Sequence, residues 1–378
     1  MAALTEEQTL IKDQASSWVS AESPVSKFRA MRNEGPEQAF AQPTWSAMVD
    51  MGWTGILVPE EYGGSDLGYL TFGIVLEELG KQLTASPLFA SAYVGATGLL
   101  LAGTDAQKSE HLPKIVDGSV IFTLAVDEGP RHAPIRTALK AEAKGDSYAL
   151  TGSKTLVLEG MAATHFIVAA RSDGTAGDAK GLSLFIVPAD AAGLRRTQMK
   201  TMDSRGYAEL QFDGVTVPAT ALMGPVDQAG EVLDEILDRA RAGLSAEMLG
   251  VGAQSFAMTL EYLKTRKQFG ALIGSFQALG HRAAELFATM ELARSCGEAA
   301  LQEIDSQSNS VAKACSLSKA KVGDFMHEMS NQLIQIHGGI GMTDEFDAGL
   351  YLKRARLLEG LYGNPAYHRD RYARLLGF

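Results

Sequence analysis

The sequence predicts an α+β fold made of a helical N-terminal domain, a middle β domain and a C-terminal helical bundle. Two observations predict it. Short β-rich runs are confined to residues 119–225, and no proline occurs between Pro225 and Pro365, where apolar residues recur at helical spacing. A chain of 378 residues also exceeds the size of about 200 residues that is typical of one compact domain. We therefore expect domains at residues 1–118, 119–225 and 226–378.

Helix signals fill the N-terminal part. Thr5 and Gln8 have the spacing of a capping box, in which each side chain accepts a hydrogen bond from the other's backbone amide. Apolar residues follow Trp45 at helical spacing until Gly52, and the helix of FGIVLEELG is expected to end at Gly80. This part is predicted to be an α layer.

The middle part has the sequence pattern of a β domain. Turn signals such as KGD, SDG and FDG separate its apolar runs, which are VIFTLAV, ALKAEA, THFIVAA, LSLFIVP and ELQFDGVTVP. Closely spaced short strands of this kind favour a small barrel or sandwich.

Composition excludes several function classes. The chain is 46% apolar and 21% charged, with no uninterrupted apolar run of about 18 residues and no signal-like start, so we expect a cytoplasmic protein without a membrane span. A net charge of −11 argues against a nucleic-acid partner, although a small anion could meet a local basic cluster. Cys296 and Cys315 lack the spacing of metal ligands, and no metal site is expected.

The stretch YLKTRKQFGALIGSFQ, residues 262–277, carries the first group of candidate binding residues. Arg266 offers a fork of donors suited to phosphate, Gln268 adds a polar contact and Phe269 adds a flat stacking surface. Gly270 is expected to end the helix. Together they suit a nucleotide diphosphate, and the alternative is a solvated Arg-Lys pair beside a buried Phe at an inter-helix turn.

The stretch QIHGGIGMTDEF, residues 335–346, carries the second group. It follows no strand and lacks the Lys-Ser/Thr pair of a P-loop, which excludes a Rossmann fingerprint and a P-loop. What remains is a helix ending at His337 and a glycine turn, next to Gln335, whose backbone can approach a ligand closely. The alternative is an ordinary glycine C-cap.

Taken in order, these motifs resemble the acyl-CoA dehydrogenase family over nearly the whole chain. The matching segments are LTEEQ, GWTGILVPEEYGGSDLG, LEELGKQL, LPKIVDGS, DGVTVP, RKQFGALIGSFQ and QIHGGIGMTDEF. The resemblance implies a helical N-domain, a middle β-barrel or sandwich and a C-terminal four-helix bundle. It also implies FAD extended across a dimer interface, with the flavin ring in one subunit's β domain and the ADP end held by the neighbour. The residues to which it carries FAD contact are Arg266, Gln268, Phe269, Phe276, Gln277, Gln335, Gly338 and Gly339.

The sequence departs from the family where the flavin ring should be supported. The family's TEP-x-AGSD segment reads LAVDEGPRHAP here, from Leu124 to Pro134. The Trp-Ile-Thr that follows a lysine in the family is replaced by residues 156–158, which read Leu-Val-Leu after Lys154. Two hydrogen-bonding supports of the ring are therefore absent or altered.

The family's catalytic base is also missing. Its Glu-Gly-Thr falls on residues 362–364, which read Tyr-Gly-Asn, and a phenol, whose pKa is ordinarily about 10, is a poor base at neutral pH. Another branch places the base at the position of Ala240.

Glu247 stands about two helical turns after Ala240, on the same face, and is our candidate base, with a salt bridge or polar contact as the alternative. Glu359 and Asp127 are weaker candidates. Arg241 matches the family's pocket arginine and is expected to bind the substrate's CoA phosphates.

The resemblance implies an enzyme, a FAD-dependent acyl-CoA dehydrogenase that forms a 2,3-enoyl-CoA, with a bulky or steroid-derived acyl group among the candidates. Its partners would be the acyl-CoA, an electron-transfer flavoprotein or similar acceptor, and other subunits in a homo-oligomer (dimer or tetramer) or hetero-oligomer. The departures leave a second interpretation, a non-catalytic partner subunit that shares FAD in a hetero-oligomer. A flavin oxidase or monooxygenase on the same scaffold is a third.

Overall fold

A computed structural model describes residues 4–35 and 39–378. The chain divides into two compact units. The first combines the chain up to Arg29 with Tyr69–Thr84 and Arg241–Phe378, and the second combines Ala30–Gly68 with Ala85–Ala240. The three-part division at residues 118 and 225 stays a prediction.

Eleven α-helices lie in the described parts of the chain. In chain order they are α1 (Glu6–Glu22), α2 (Val25–Glu34), α3 (Gln42–Asp50), α4 (Gly68–Lys81), α5 (Ala96–Ala102), α6 (Asp105–Val116), α7 (Ala229–Thr265), α8 (Gln277–Asp305), α9 (Val311–His337), α10 (Ala348–Gly360) and α11 (Pro365–Leu375). A π-helical segment, Phe89–Gly95, leads directly into α5. Within residues 4–35 and 39–378, none of the helices has the length and apolar character that spanning a bilayer requires.

Helix packing in the first unit depends on a close crossing of α4 and α7. A Cβ added at Gly80 would lie 2.3 Å from the Glu247 carbonyl oxygen, and one added at Gly250 would lie 1.9 Å from that of Glu77. Only glycine permits this approach of the two backbones. The N-terminus of α4 is capped by Asp305, whose carboxylate accepts from two successive backbone amides at 2.6 and 2.9 Å.

The first helix begins where the sequence predicts. Thr5 is its N-cap, and the reciprocal hydrogen bonds with Gln8 form a capping box. Gly52 follows α3 with φ of 74°, a conformation that favours glycine.

The second unit is built on an eight-stranded mixed sheet. Its strands are β1 (Phe122–Ala125), β2 (Lys140–Lys144), β3 (Ser147–Val157), β4 (His165–Arg171), β5 (Leu182–Pro188), β6 (Leu194–Gln198), β7 (Ala208–Pro218) and β8 (Leu222–Met223). The order is β6-β7-β3-β2-β4-β5-β8, and β1 pairs in parallel with β4. Phe166, Phe185 and Phe212 lie fully buried in its core. The long strand β7 alternates buried and exposed residues, as a strand with one solvated face does.

Candidate functional site

A tight hairpin follows α7 in the first unit. The helix ends at Thr265, and strands β9 (Lys267–Gln268) and β10 (Ala271–Leu272) pair across a two-residue turn. Phe269 and Gly270 form this turn with φ of 51° and 77°. The prediction that Gly270 ends the helix is wrong: both turn residues adopt the left-handed region that a two-residue hairpin demands.

The hairpin holds an aromatic ring in solvent. Phe269 is 94% exposed, and the ring of Phe276 lies edge-on to it at 6.3 Å between centroids. A bulky residue at positive φ is costly, and a nearly bare Phe gains nothing from the fold. The Arg266 guanidinium forms no hydrogen bond or ion pair within the part of the chain that the structure describes. These groups are therefore available to a ligand.

The glycine turn lies at the end of α9, where the sequence predicts it. Gly338 has φ of 61° and ψ of −134°, and a Cβ added at either Gly338 or Gly339 would meet no atom within 4 Å. A ligand could therefore approach the backbone closely here, because no side chain stands in the way.

The two motifs lie at the same end of the first unit. The rings of Tyr262 and His337 lie 4.3 Å apart between centroids with a tilt of 30°, and Leu263, Ile273 and Ile336 share one apolar cluster. Exposed aromatic rings, an uncommitted guanidinium and open backbone fit a nucleotide with a diphosphate. Gln268, Gln277 and Gln335 are exposed around them.

A buried lysine in the second unit binds the segment whose sequence departs from the family, Leu124–Pro134. The Lys154 ammonium donates to the Val126 carbonyl at 2.8 Å and to Glu128 Oε1 at 2.7 Å. Burial lowers the pKa of Lys154, and the neighbouring Glu128 opposes this shift. Glu128 in turn accepts from the backbone amides of Ala138 and Leu139. Residues 126–139 are therefore fixed by their own hydrogen bonds.

A cleft of about 610 Å³ lies beside this lysine. Its lining includes Glu128, Lys154, Leu156, Met199 and Glu209. The backbone amide of Leu156 lies 3.4 Å from the Met199 sulfur, so apolar side chains stand where the resemblance leads one to expect hydrogen-bonding groups. Leu156 has φ of 52°.

Glu247 lies in a buried ion pair on α7. Its Oε1 accepts from Arg354 Nη2 at 2.7 Å and from Arg354 Nε at 3.0 Å. The Glu247 and Arg354 side chains are 10% and 4% exposed. The inter-helix salt bridge named above as an alternative is thus present, and the catalytic role of Glu247 stays a prediction.

Buried donors hold the turn that follows α10. Lys319 Nζ donates to the carbonyls of Leu358, Glu359 and Gly363, each at 3.0 Å. Arg241 Nε donates to the Tyr362 carbonyl at 3.2 Å. Burial lowers the pKa of Lys319 to about 7, while the three carbonyls favour its charged form.

The structure also gives the surroundings of the other residues that the sequence singles out. Arg241 is fully buried, and its contact with CoA phosphates stays a prediction. Tyr362 has φ of 55°, and His368 Nε2 also lies 3.1 Å from its carbonyl oxygen. Among the weaker base candidates, Glu359 pairs with His327 at 3.0 Å and Asp127 pairs with His132 at 2.9 Å.

The sequence reasoning did not single out Arg131 and Arg136. Both are exposed; Arg131 lies in the segment that departs from the family, and Arg136 lies two residues after its end. Two arginines within six residues of an acidic chain were the signal that could have identified them.

Comparison with known proteins agrees with this architecture. The N-terminal, middle and C-terminal domains of acyl-CoA dehydrogenase match residues 5–119, 127–215 and 230–377. The probable acyl-CoA dehydrogenase YngJ of Bacillus subtilis is 30% identical, with 99% of this chain and 98% of the relative covered.

Solved structures are similar over their full length. The ChsE4-ChsE5 complex from Mycobacterium tuberculosis superposes with a TM-score of 0.90 at 26% identity, covering 100% of this chain and 99% of the other. A variant of the Tcur3481-Tcur3483 steroid ACAD superposes with a TM-score of 0.89 at 28% identity, covering 98% of each chain. Three matched domains, a helical-sheet-helical order and a relative aligned end to end lead to one conclusion: this chain belongs to the acyl-CoA dehydrogenase family, whose members are oxidoreductases acting on acyl-CoA.

Proposed function

We propose that the chain serves FAD-dependent α,β-dehydrogenation of an acyl-CoA to the 2,3-enoyl-CoA, in the cytoplasm. The observation that carries the proposal is the group formed by Arg266, Phe269 and Phe276 beside the open turn at Gly338 and Gly339. Its exposed rings and unpaired guanidinium match the chemistry of a dinucleotide tail. The family is generally FAD-dependent, which agrees with this chemistry.

Each residue has a defined task in this proposal. Arg266 donates to phosphate oxygens, Phe269 and Phe276 stack on flat rings, and the glycine turn offers backbone amides without a Cβ in the way. Gln268, Gln277 and Gln335 supply further polar contacts. Bound FAD supplies the hydride acceptor.

Glu247 is the proposed base. Because Oε1 already accepts two hydrogen bonds from Arg354, Oε2 is the atom that would take the substrate's α-proton. Arg241 and Lys319 hold the turn after α10 through its carbonyls.

A visible spectrum of the purified chain tests the proposal. We expect flavin absorbance that bleaches when an acyl-CoA is added without oxygen, and an electron-transfer flavoprotein should then restore it. A panel of straight-chain and bulky acyl-CoAs identifies the substrate class, and the likeness to a steroid ACAD makes a steroid-derived thioester the first choice. A flavin-loaded protein that no acyl-CoA reduces would contradict the proposal.

A second function is a FAD-sharing partner subunit without its own base. Two observations favour it: Tyr362 stands where the family has its glutamate, and the 610 Å³ cleft presents Leu156 and Met199. The similarity to the ChsE4-ChsE5 complex agrees with it. Under this function the chain is colourless alone and retains flavin only when co-expressed with a related chain.

A further inference from the structure

We propose that His111 and His165 form an acid-sensitive contact between α6 and the sheet of the second unit. His111 lies on α6, and His165 is the first residue of β4. Their ring centroids lie 5.3 Å apart. The Phe122 ring on β1 completes the cluster, because it stacks on His165 at 5.0 Å and meets His111 edge-on at 5.2 Å. Three rings from three elements therefore hold the middle of the helix against the sheet.

This contact requires uncharged imidazoles. His111 is 7% exposed, and its Nδ1 is buried without a hydrogen-bond partner among residues 4–35 and 39–378. An imidazolium carries a proton on both ring nitrogens, so a charged His111 would bury an N–H group that has no acceptor. A charge on both rings would add repulsion between two cations about 5 Å apart in an apolar cluster. Protonation therefore opposes the closed contact.

The charged groups around the pair compensate only weakly. On α6, Glu110 favours protonated imidazoles and Lys114 opposes them, and the two side chains are 61% and 46% exposed. Asp190, which follows β5, also favours protonated His165 but is exposed. Arg196 lines the same cleft as His165 and Asp190 and adds a positive charge there. Exposed carboxylates are screened by solvent, so they do not offset the burial of the rings.

The pKa values have the direction that this geometry requires. Burial lowers the pKa of His111. Burial, reinforced by the neighbouring His111, lowers the pKa of His165 to about 4. Both rings are therefore neutral at pH 7, and the contact is closed.

The attachments on either side of the pair do not titrate between pH 5 and pH 7. Gln107 Nε2 donates to the carbonyls of Thr220 and Leu222 at 2.8 and 3.1 Å. At the other end of α6, the Thr54 hydroxyl donates to the Val116 carbonyl at 2.6 Å. Acid should therefore loosen the helix locally, between residues 107 and 116, while both ends stay attached.

The sign and size of the effect follow from linkage. A solvated imidazole has a pKa of about 6.5, so an opened His165 binds a proton that the closed cluster excludes, and the closed state loses stability as the pH falls from about 6.5 to 4. With these two values the opening constant rises by up to about twentyfold between pH 7 and pH 5. The ring of His165 is partly exposed, which reduces the expected rise to roughly five- to tenfold.

Hydrogen exchange of the purified full chain tests the proposal. Amide exchange in peptides from residues 108–116 is measured by mass spectrometry at pH 7 and pH 5 and corrected for the intrinsic pH dependence of exchange. We expect the opening constant to rise roughly five- to tenfold at pH 5 in the wild-type chain. His165→Phe keeps a stacked ring without a titratable group, and His165→Gln removes the titration with a smaller side chain; both should abolish most of the rise. The control His281→Phe removes an exposed imidazole on α8 and should keep it.

A titration of the wild-type chain provides a second measurement that needs no variant. In NMR spectra of the chain labelled at its histidines, the midpoints of His111 and His165 should lie below that of exposed His281. Midpoints near 6.5 for both residues overturn the proposal, and so does an equal rise in exchange in the wild-type chain and the His165 variants. Neither measurement involves flavin or acyl-CoA, so its outcome is independent of the proposed function.

Discussion

Replacing Arg354 by Met is expected to destabilise the protein by about 3–5 kcal/mol. The guanidinium makes two hydrogen bonds to one oxygen of Glu247, at 2.7 and 3.0 Å, and both side chains are at least nine-tenths buried. Without it, the carboxylate is left charged and unpaired in a dry environment. Such a loss is a large share of the roughly 5–15 kcal/mol by which a folded domain is stable.

Glu247→Gln should cost less, about 1–3 kcal/mol, because its amide oxygen can still accept from the guanidinium. The double variant Glu247→Leu/Arg354→Met should recover most of the loss, since neither member of the ion pair is left without the other. The urea midpoints of unfolding, measured by circular dichroism, should rank the stabilities of the variants in this order. Equal midpoints for Arg354→Met and the wild-type chain would refute the reasoning about burial.

Glu247→Gln also tests the proposed base. A general base contributes about 10²–10⁴-fold to the rate, so a fall of that size in a folded variant supports the catalytic role. A rate near that of the wild-type enzyme, with the expected loss of stability, assigns Glu247 to the ion pair alone.

Phe269→Ala should weaken FAD binding at least about tenfold through lost stacking while changing stability by less than about 0.5 kcal/mol. A flavin fluorescence titration measures the binding, and the control is Phe287→Ala, at an exposed position on α8. Gly338→Ala should cost about 1–3 kcal/mol because of its positive φ, whereas Gly339→Ala has no such strain; thermal unfolding that fails to separate the two contradicts this. Lys319→Met should alter the pH dependence of stability. Between about pH 7 and 10.5 the Lys319 side chain keeps its proton in the unfolded chain but has lost it in the folded chain, so stability rises with pH in that window. The variant should lose this rise, measured as urea midpoints of unfolding. The control Lys321→Met, at an exposed position, should keep it.

Local signals predicted much of the fold. The capping box at Thr5 and the glycine at position 52 act within a few residues, and the buried strands β4 and β5 are continuous apolar runs. Strands β3 and β6 were not predicted. Their sequences are largely polar, and both exist because they pair with β7, a partner that their own residues do not reveal.

The ion pairs and buried donors were beyond sequence reasoning for the same reason. Arg354 lies 107 positions from Glu247, and Lys319 reaches carbonyls about 40 residues away. Nothing in either local pattern distinguishes a paired side chain from a free one. The end of α9 at His337 could be predicted, because the glycines that follow it mark the turn in the sequence itself, whereas the role of the groups near Arg266 and Gly338 stays a prediction.

The turn after α10 has one more consequence. Lys319, Arg241 and His368 set its path through contacts with main-chain oxygens. These contacts do not involve the side chain of residue 362. These hydrogen bonds fix the backbone from which the side chain of residue 362 projects, at its unfavourable φ of 55°. A glutamate introduced at position 362 would therefore project from the same main-chain position as the phenol that stands there now.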